Sequence, residues 1–200
     1  MAHAGKVISN TTMAGTVAFI KTAADTGGEL LEMEATYNTV VDSVPEHVHP
    51  YQDEHIEVLA GMVSVHIKGQ ERTYVAGESF DFARNVPHAF LGAVGCEEAR
   101  IRWQLRPALN SEIFFETVYG LAADGKMKDA GIPSLFQSSV IFRAFKNELH
   151  LTKPSRTVQK LVFGILAPIG RLLGYQACYE KYSDQEARDD HYLVSEKQTN

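Results

Sequence analysis

The stretch Pro45-Glu46-His47-Val48-His49-Pro50-Tyr51-Gln52-Asp53-Glu54 decides how this chain folds. His47 and His49 stand two apart in an extended run, and side chains at i and i+2 of a strand share one face. Two imidazoles held side by side can give two nitrogens to one metal ion. Glu54 follows a short bend and heads the next apolar segment, where a carboxylate can close the same site. Asp53 competes with it for that place. His88, in Asn85-Val86-Pro87-His88-Ala89-Phe90, comes after a turn led by Gly77 and is the natural fourth ligand. Three neutral imidazoles and one carboxylate suit Fe, Mn, Ni, Cu or Zn better than Mg or Ca.

Outward from this stretch the chain reads as strands up to Pro107. Thr16 to Lys21 is short and apolar, and Leu30 to Tyr37 follows the turn Asp25-Thr26-Gly27-Gly28. Glu54 to Leu59 runs into Gly61. Met62 to Lys68 puts Val63, Val65 and Ile67 on one face, and Gln70 to Val75 returns after a turn at Gly69. A short run holds Phe80 and Phe82. Ala99 to Leu105 alternates, with Ile101, Trp103 and Leu105 on the core face. Many short strands at this spacing predict a sandwich or barrel. Beyond Pro107 the spacing turns helical. One helix is expected from Asn110-Ser111-Glu112 through Ala123, closing near Gly125. A second is expected from Pro133 through about His150, and a third from Pro154 to Gly174, kinked or divided at Pro168.

Two hundred residues, 44% hydrophobic and 22% charged, are enough for a real core, which excludes a disordered chain or a small disulfide scaffold. A net charge of −6 argues against nucleic acid as the main partner. Cys96 and Cys178 form no metal-binding pair and read as free thiols. Met1 to Asn10 carries no apolar run, so a cytoplasmic location is expected. No Gly-rich phosphate loop is visible, so no nucleotide cofactor is implied.

The segment from His47 to Gly61 reads H-x-H, four residues, E, six residues, G. It resembles the first motif of the cupin superfamily, and Gly77 to His88 resembles the second, G-x5-P-x-G-x2-H. The departures are Val41 for the Gly usual ahead of the first His, Ala83 for Pro, Asn85 for Gly, and Gly92 for the closing Asn. Asn tolerates positive φ well enough to keep the turn at Asn85. The resemblance covers residues 15 to 106. It implies a mainly β chain, an antiparallel cupin β-barrel (double-stranded β-helix or jelly roll) over 15–106, with an α-helical extension over 107–182 and a polar tail over 183–200. It implies metal ligands His47, His49, Glu54 and His88, the spacing to Gly61 favouring Glu54 over Asp53. The superfamily contains dioxygenases, isomerases, lyases and metal-free binding proteins, and fold does not choose among them. The leading expectation is a metal-dependent oxygenase acting on a small, partly apolar organic substrate, with Glu54 doubling as catalytic base. The alternatives are a non-redox isomerase or cyclase and a non-catalytic ligand-binding cupin.

The remaining residues are assigned quieter places. His55 and Glu57 face away from Glu54, His66 lies off the site, and His3, His150 and His191 have no partner that the sequence names. Tyr51 and Gln52 are expected on the rim. Arg102 and Gln104 face solvent or line a cavity. The run Leu161 to Leu173 is too short to span a membrane. It is expected to pack on the barrel or on a partner rather than to anchor in lipid. A homodimer is expected, with the strand at Val17 to Ile20 pairing across subunits. The helices either close the barrel's mouth or serve as scaffold. In both cases a chain ended after Pro107 is expected to keep its metal.

Overall fold

Alternation of apolar and polar side chains, a period of two, drives the N-terminal half into strands. The computed structural model describes residues 2–10, 15–38, 45–128 and 132–183. Val41, His191 and the tail beyond Ser183 lie outside the described residues. The strands are β1 (Val7–Asn10), β2 (Gly15–Lys21), β3 (Leu31–Tyr37), β4 (His47–Val48), β5 (Asp53–Ala60), β6 (Met62–Ile67), β7 (Gln70–Val75), β8 (Ser79–Phe82), β9 (His88–Ala93) and β10 (Ala99–Arg106). A one-turn helix, α1 (Ala23–Thr26), joins β2 to β3. After β10 come α2 (Ser111–Ala123), α3 (Leu135–Ala144), the two-residue strand β11 (His150–Leu151) and α4 (Arg156–Leu172).

Two antiparallel sheets form, ordered β1-β2-β3-β10-β5-β8 and β11-β4-β9-β6-β7. Their inner faces share one core. The first sheet contributes Val17, Phe19, Leu31, Met33, Ile56, Ile101 and Leu105, and the second contributes Val63, Val65 and Ala93. Burying each of the larger side chains stabilises the fold by about 1.5–3 kcal/mol. This is the antiparallel jelly roll expected from the sequence, followed by helices. Trp103 packs edge-on against Phe115 of α2, with ring centroids 4.9 Å apart, so barrel and helices share apolar contacts. Lys6 crosses to Glu116 of α2 at 2.7 Å.

Three expectations change. The strand at Val17 to Ile20 is not an edge: β2 lies between β1 and β3, and both sides of its backbone are engaged within the chain. It has no free side for a second subunit. The helix expected from Pro133 to about His150 is shorter. Ser134 caps it by accepting from the Gln137 N–H. Beyond Ala144 the chain buries Phe145 and Leu149 and pairs His150–Leu151 with β4, which a continued helix would forfeit. Pro168 does not divide α4. Proline lacks the N–H that the carbonyl four residues back would receive. That carbonyl, on Gly164, instead accepts from Arg143 Nη1 of α3 at 3.2 Å.

Gly61 makes the turn from β5 to β6 at φ +72°, and a side chain there would drive into the Glu98 carbonyl and stand 2.9 Å from Ala99 Cα. Both obstacles are backbone. Gly61→Ala should therefore destabilise the fold by more than about 2 kcal/mol in chemical denaturation, the left-handed backbone and the clash adding together. A change of a few tenths would show that the turn relaxes freely.

Candidate metal centre

His47 lies on β4 directly opposite His88 at the start of β9, so strand pairing alone brings two imidazoles together. Their ring centroids are 4.5 Å apart. His49, two residues on, shares the face of His47, with ring centroids 5.1 Å apart. Glu54 reaches the same point from the other sheet, as a buried, inward residue of β5. Its Oε2 lies 3.0 Å from His88 Nε2 and 3.3 Å from His49 Nε2. One ligand atom from each of His47, His49 and His88 lies within 4.8 Å of the other two.

Each imidazole is turned by a backbone carbonyl on its Nδ1. His47 uses Pro45 O at 2.9 Å, His88 uses Val86 O at 2.9 Å, and His49 uses Glu148 O at 2.6 Å. A carbonyl only accepts, so each Nδ1 carries the hydrogen and each neutral ring keeps a bare Nε2 lone pair. The Nε2 atoms of His49 and His88 and Oε2 of Glu54 are buried with no hydrogen-bond partner. Leaving such atoms unpaired costs about 1–3 kcal/mol each. Converging lone pairs beside a carboxylate are the donor set of a divalent transition metal, and the three histidines form a cluster able to hold one.

The charges agree. Burial, with His88 and His49 adding to it, pushes His47 down to about 3, so that ring stays neutral. Burial alone would raise Glu54, but the flanking His88 and His49 outweigh it and hold the carboxyl well below the usual range. His88 is pulled down by burial and carried above its ordinary value by Glu54.

The turn before His88 forms as the substituted motif predicts. Asn85 sits at φ 64° and donates its backbone N–H to His49 O at 2.9 Å. Gly92, at φ 86°, lies where the β6–β9 register shifts. Phe82, paired with Glu54 across β5 and β8, stacks on His88 with ring centroids 4.0 Å apart. Tyr37 is buried beside Phe90, its phenol pushed up by burial and by the nearby Tyr119 and Glu54.

Other candidates fall away from the centre. Asp53 faces outward and pairs with Arg84. His55 bonds Asp81 at 2.7 Å, and His66 lies 3.9 Å from Glu71. Arg102 bridges Glu34 and Glu57 on the outer face, while Gln104 bonds Glu32. Tyr51 is on the rim, 44% exposed. Gln52 is not: it is fully buried, with Nε2 close to Pro107 O, Ala108 O and Ser111 Oγ at 2.8, 3.0 and 2.8 Å. The segment from Pro107 into the first residue of α2 offers three acceptors there, and these draw the amide inward. Glu148 was invisible to sequence reasoning, because it serves His49 through its main-chain oxygen. Its own carboxylate is held by Asn110 N and Nδ2 at 3.2 and 3.0 Å.

Residues 36–104 match the family model of the cupin domain. Residues 36–104 are a cupin domain. Solved structures resemble the chain at low identity. KdgF from Halomonas sp. is 13% identical, with 52% of this chain and 91% of that chain covered and a TM-score of 0.45. The polyketide cyclase RemF from Streptomyces resistomycificus is 18% identical, covering 53% and 78%, with a TM-score of 0.43. A sugar phosphate isomerase of the cupin superfamily from Silicibacter pomeroyi is 14% identical, covering 50% and 70%, with a TM-score of 0.43. No curated protein matches the chain in sequence. The H-x-H pair, the Glu and the later His of the matched segment stand together.

Proposed function

We propose that this cupin is a metal-dependent enzyme, an oxygenase acting on a small, partly apolar organic molecule. Its metal would be held by His47, His49, Glu54 and His88. The observation that carries the reading is the convergence of buried, unpartnered Nε2 and Oε2 atoms, with each Nδ1 already committed to a carbonyl. A transition metal in such a donor set supplies Lewis acidity toward a bound oxygen and, when redox-active, a route for oxygen chemistry. The chain's own residues do the rest. Glu54 is the carboxylate at the centre and would accept a substrate proton only on loosening from the metal. Phe82 locks the His88 ring by stacking on it. Phe90, partly buried on the strand that carries His88, supplies apolar surface nearby, which favours a substrate with an apolar body.

Oxygen uptake by metal-loaded protein, over a panel of enolisable and phenolic compounds, tests the redox half of this reading. Consumption of a compound with matching oxygen uptake is expected. Consumption without uptake would overturn the oxygenase assignment and leave an isomerase or cyclase that uses the same donors. The homodimer falls to β1, the outermost strand of its sheet, since β2 is engaged on both sides. Light scattering at micromolar protein checks it, and a monomer contradicts it.

A further inference from the structure

Helix α4 turns Gln159, Ala167 and Gly170 inward and stacks Phe163 on Phe142 of α3, while most of its large aliphatic side chains point outward. Ala167 and Gly170 are buried. A Cβ on Gly170 would meet Val140 Cγ2 at 2.9 Å and Phe136 O at 3.1 Å, so α3 and α4 approach closely along this face. Val158, Leu161, Ile165, Ile169 and Leu172 recur three or four residues apart and form one stripe. They face away from the protein: Leu161 is 65%, Ile165 57% and Leu172 88% exposed. Of the two places the sequence suggests for this run, the barrel and a partner, these aliphatic side chains do not take the first.

Charge selects what covers this stripe. From Leu149 to Tyr179 the chain holds no Asp or Glu, although its net charge is −6. Lys153, Arg156, Lys160 and Arg171 are all exposed. Lys160 and Arg171 are eleven positions apart, which is about three turns, so they flank the stripe on one side. A second copy is a poor match. An antiparallel two-fold pairing centred between Ile165 and Leu166 sets Lys160 of one copy opposite Arg171 of the other, with no acid to separate them. An aliphatic stripe edged with basic residues fits instead a layer with an apolar interior and an anionic surface. No helix among the described residues is long and apolar enough to cross a membrane, so contact is confined to the interface.

We propose that the outward face of α4 docks on an anionic lipid surface, with Leu161, Ile165 and Leu172 in the acyl boundary and Lys160 and Arg171 at the headgroups. The test is co-sedimentation of the full-length, metal-loaded protein with sonicated vesicles. One set is phosphatidylcholine alone and the other is phosphatidylcholine with phosphatidylglycerol in equal parts. Binding to the anionic set is expected to be at least about ten-fold tighter and to weaken with salt. Leu161→Glu with Ile165→Glu should abolish it while leaving far-ultraviolet dichroism and metal content unchanged, because both side chains are exposed. Lys160→Glu with Arg171→Glu should remove the preference for anionic vesicles. Equal binding to both sets, or none to either, overturns the proposal. So does a dimer in light scattering that the Leu161→Glu, Ile165→Glu variant dissociates while the wild type ignores vesicles.

Discussion

His49→Ala, purified without chelator, is expected to bind transition metal at least about 100-fold more weakly than the wild type, by competition against a chromogenic chelator. His49 carries two duties. Its Nε2 joins His88 Nε2 and Glu54 Oε2, and its Nδ1 ties the centre to the Glu148 carbonyl at 2.6 Å. Losing the imidazole removes a donor and leaves a carbonyl without its partner, which costs roughly 1–3 kcal/mol in stability as well. The strands themselves do not depend on His49, so the dichroism spectrum should hold. His66→Ala, whose side chain is half exposed and turned to Glu71, should keep its metal. Equal metal affinity in the wild type and His49→Ala would remove His49 from the site.

A chain ended after Pro107 is the second large effect. Sequence alone predicts that it keeps its metal, but the contacts argue otherwise. Cutting there removes the Glu148 carbonyl from His49 and the β11 partner from β4, the strand that carries His47. Buried Gln52, in the bend between His49 and Glu54, loses the acceptors on Ala108 and Ser111. Trp103 loses Phe115. Removing supporting hydrogen bonds of this kind typically costs 10- to 100-fold in metal affinity. The truncated chain should therefore be insoluble or, if soluble, weaker in metal binding by about that factor. A soluble fragment with full affinity would show that the helices play no part in the centre.

The convergence of His47, His49, Glu54 and His88 is legible because its chemistry is local. His47 and His49 share a face by strand geometry, and His88 and Glu54 fall at motif spacing from glycines that make turns. Asn85 could be read as a stand-in for glycine because its αL tolerance is a property of the residue itself, and its φ of 64° agrees. What the sequence hid is either main-chain or long-range. Glu148 contributes a carbonyl that any residue would carry. Gln52 looks like a polar bend residue until the segment from Pro107 into α2 arrives with its acceptors. The strand Val17 to Ile20 read as an edge because β1, Val-Ile-Ser-Asn, shows no sustained alternation. Helix α3 was overextended because nothing local announces that His150 will pair with β4. The apolar run in α4 was legible as amphipathic, but its direction depends on which face α3 accepts.

Anomalous diffraction from crystals of protein isolated without chelator would locate the metal. One anomalous peak per chain is expected, bonded to Nε2 of His47, His49 and His88 and to a carboxylate oxygen of Glu54. A peak at other residues, or crystals soaked in transition metal that show none among these four side chains, would contradict this assignment.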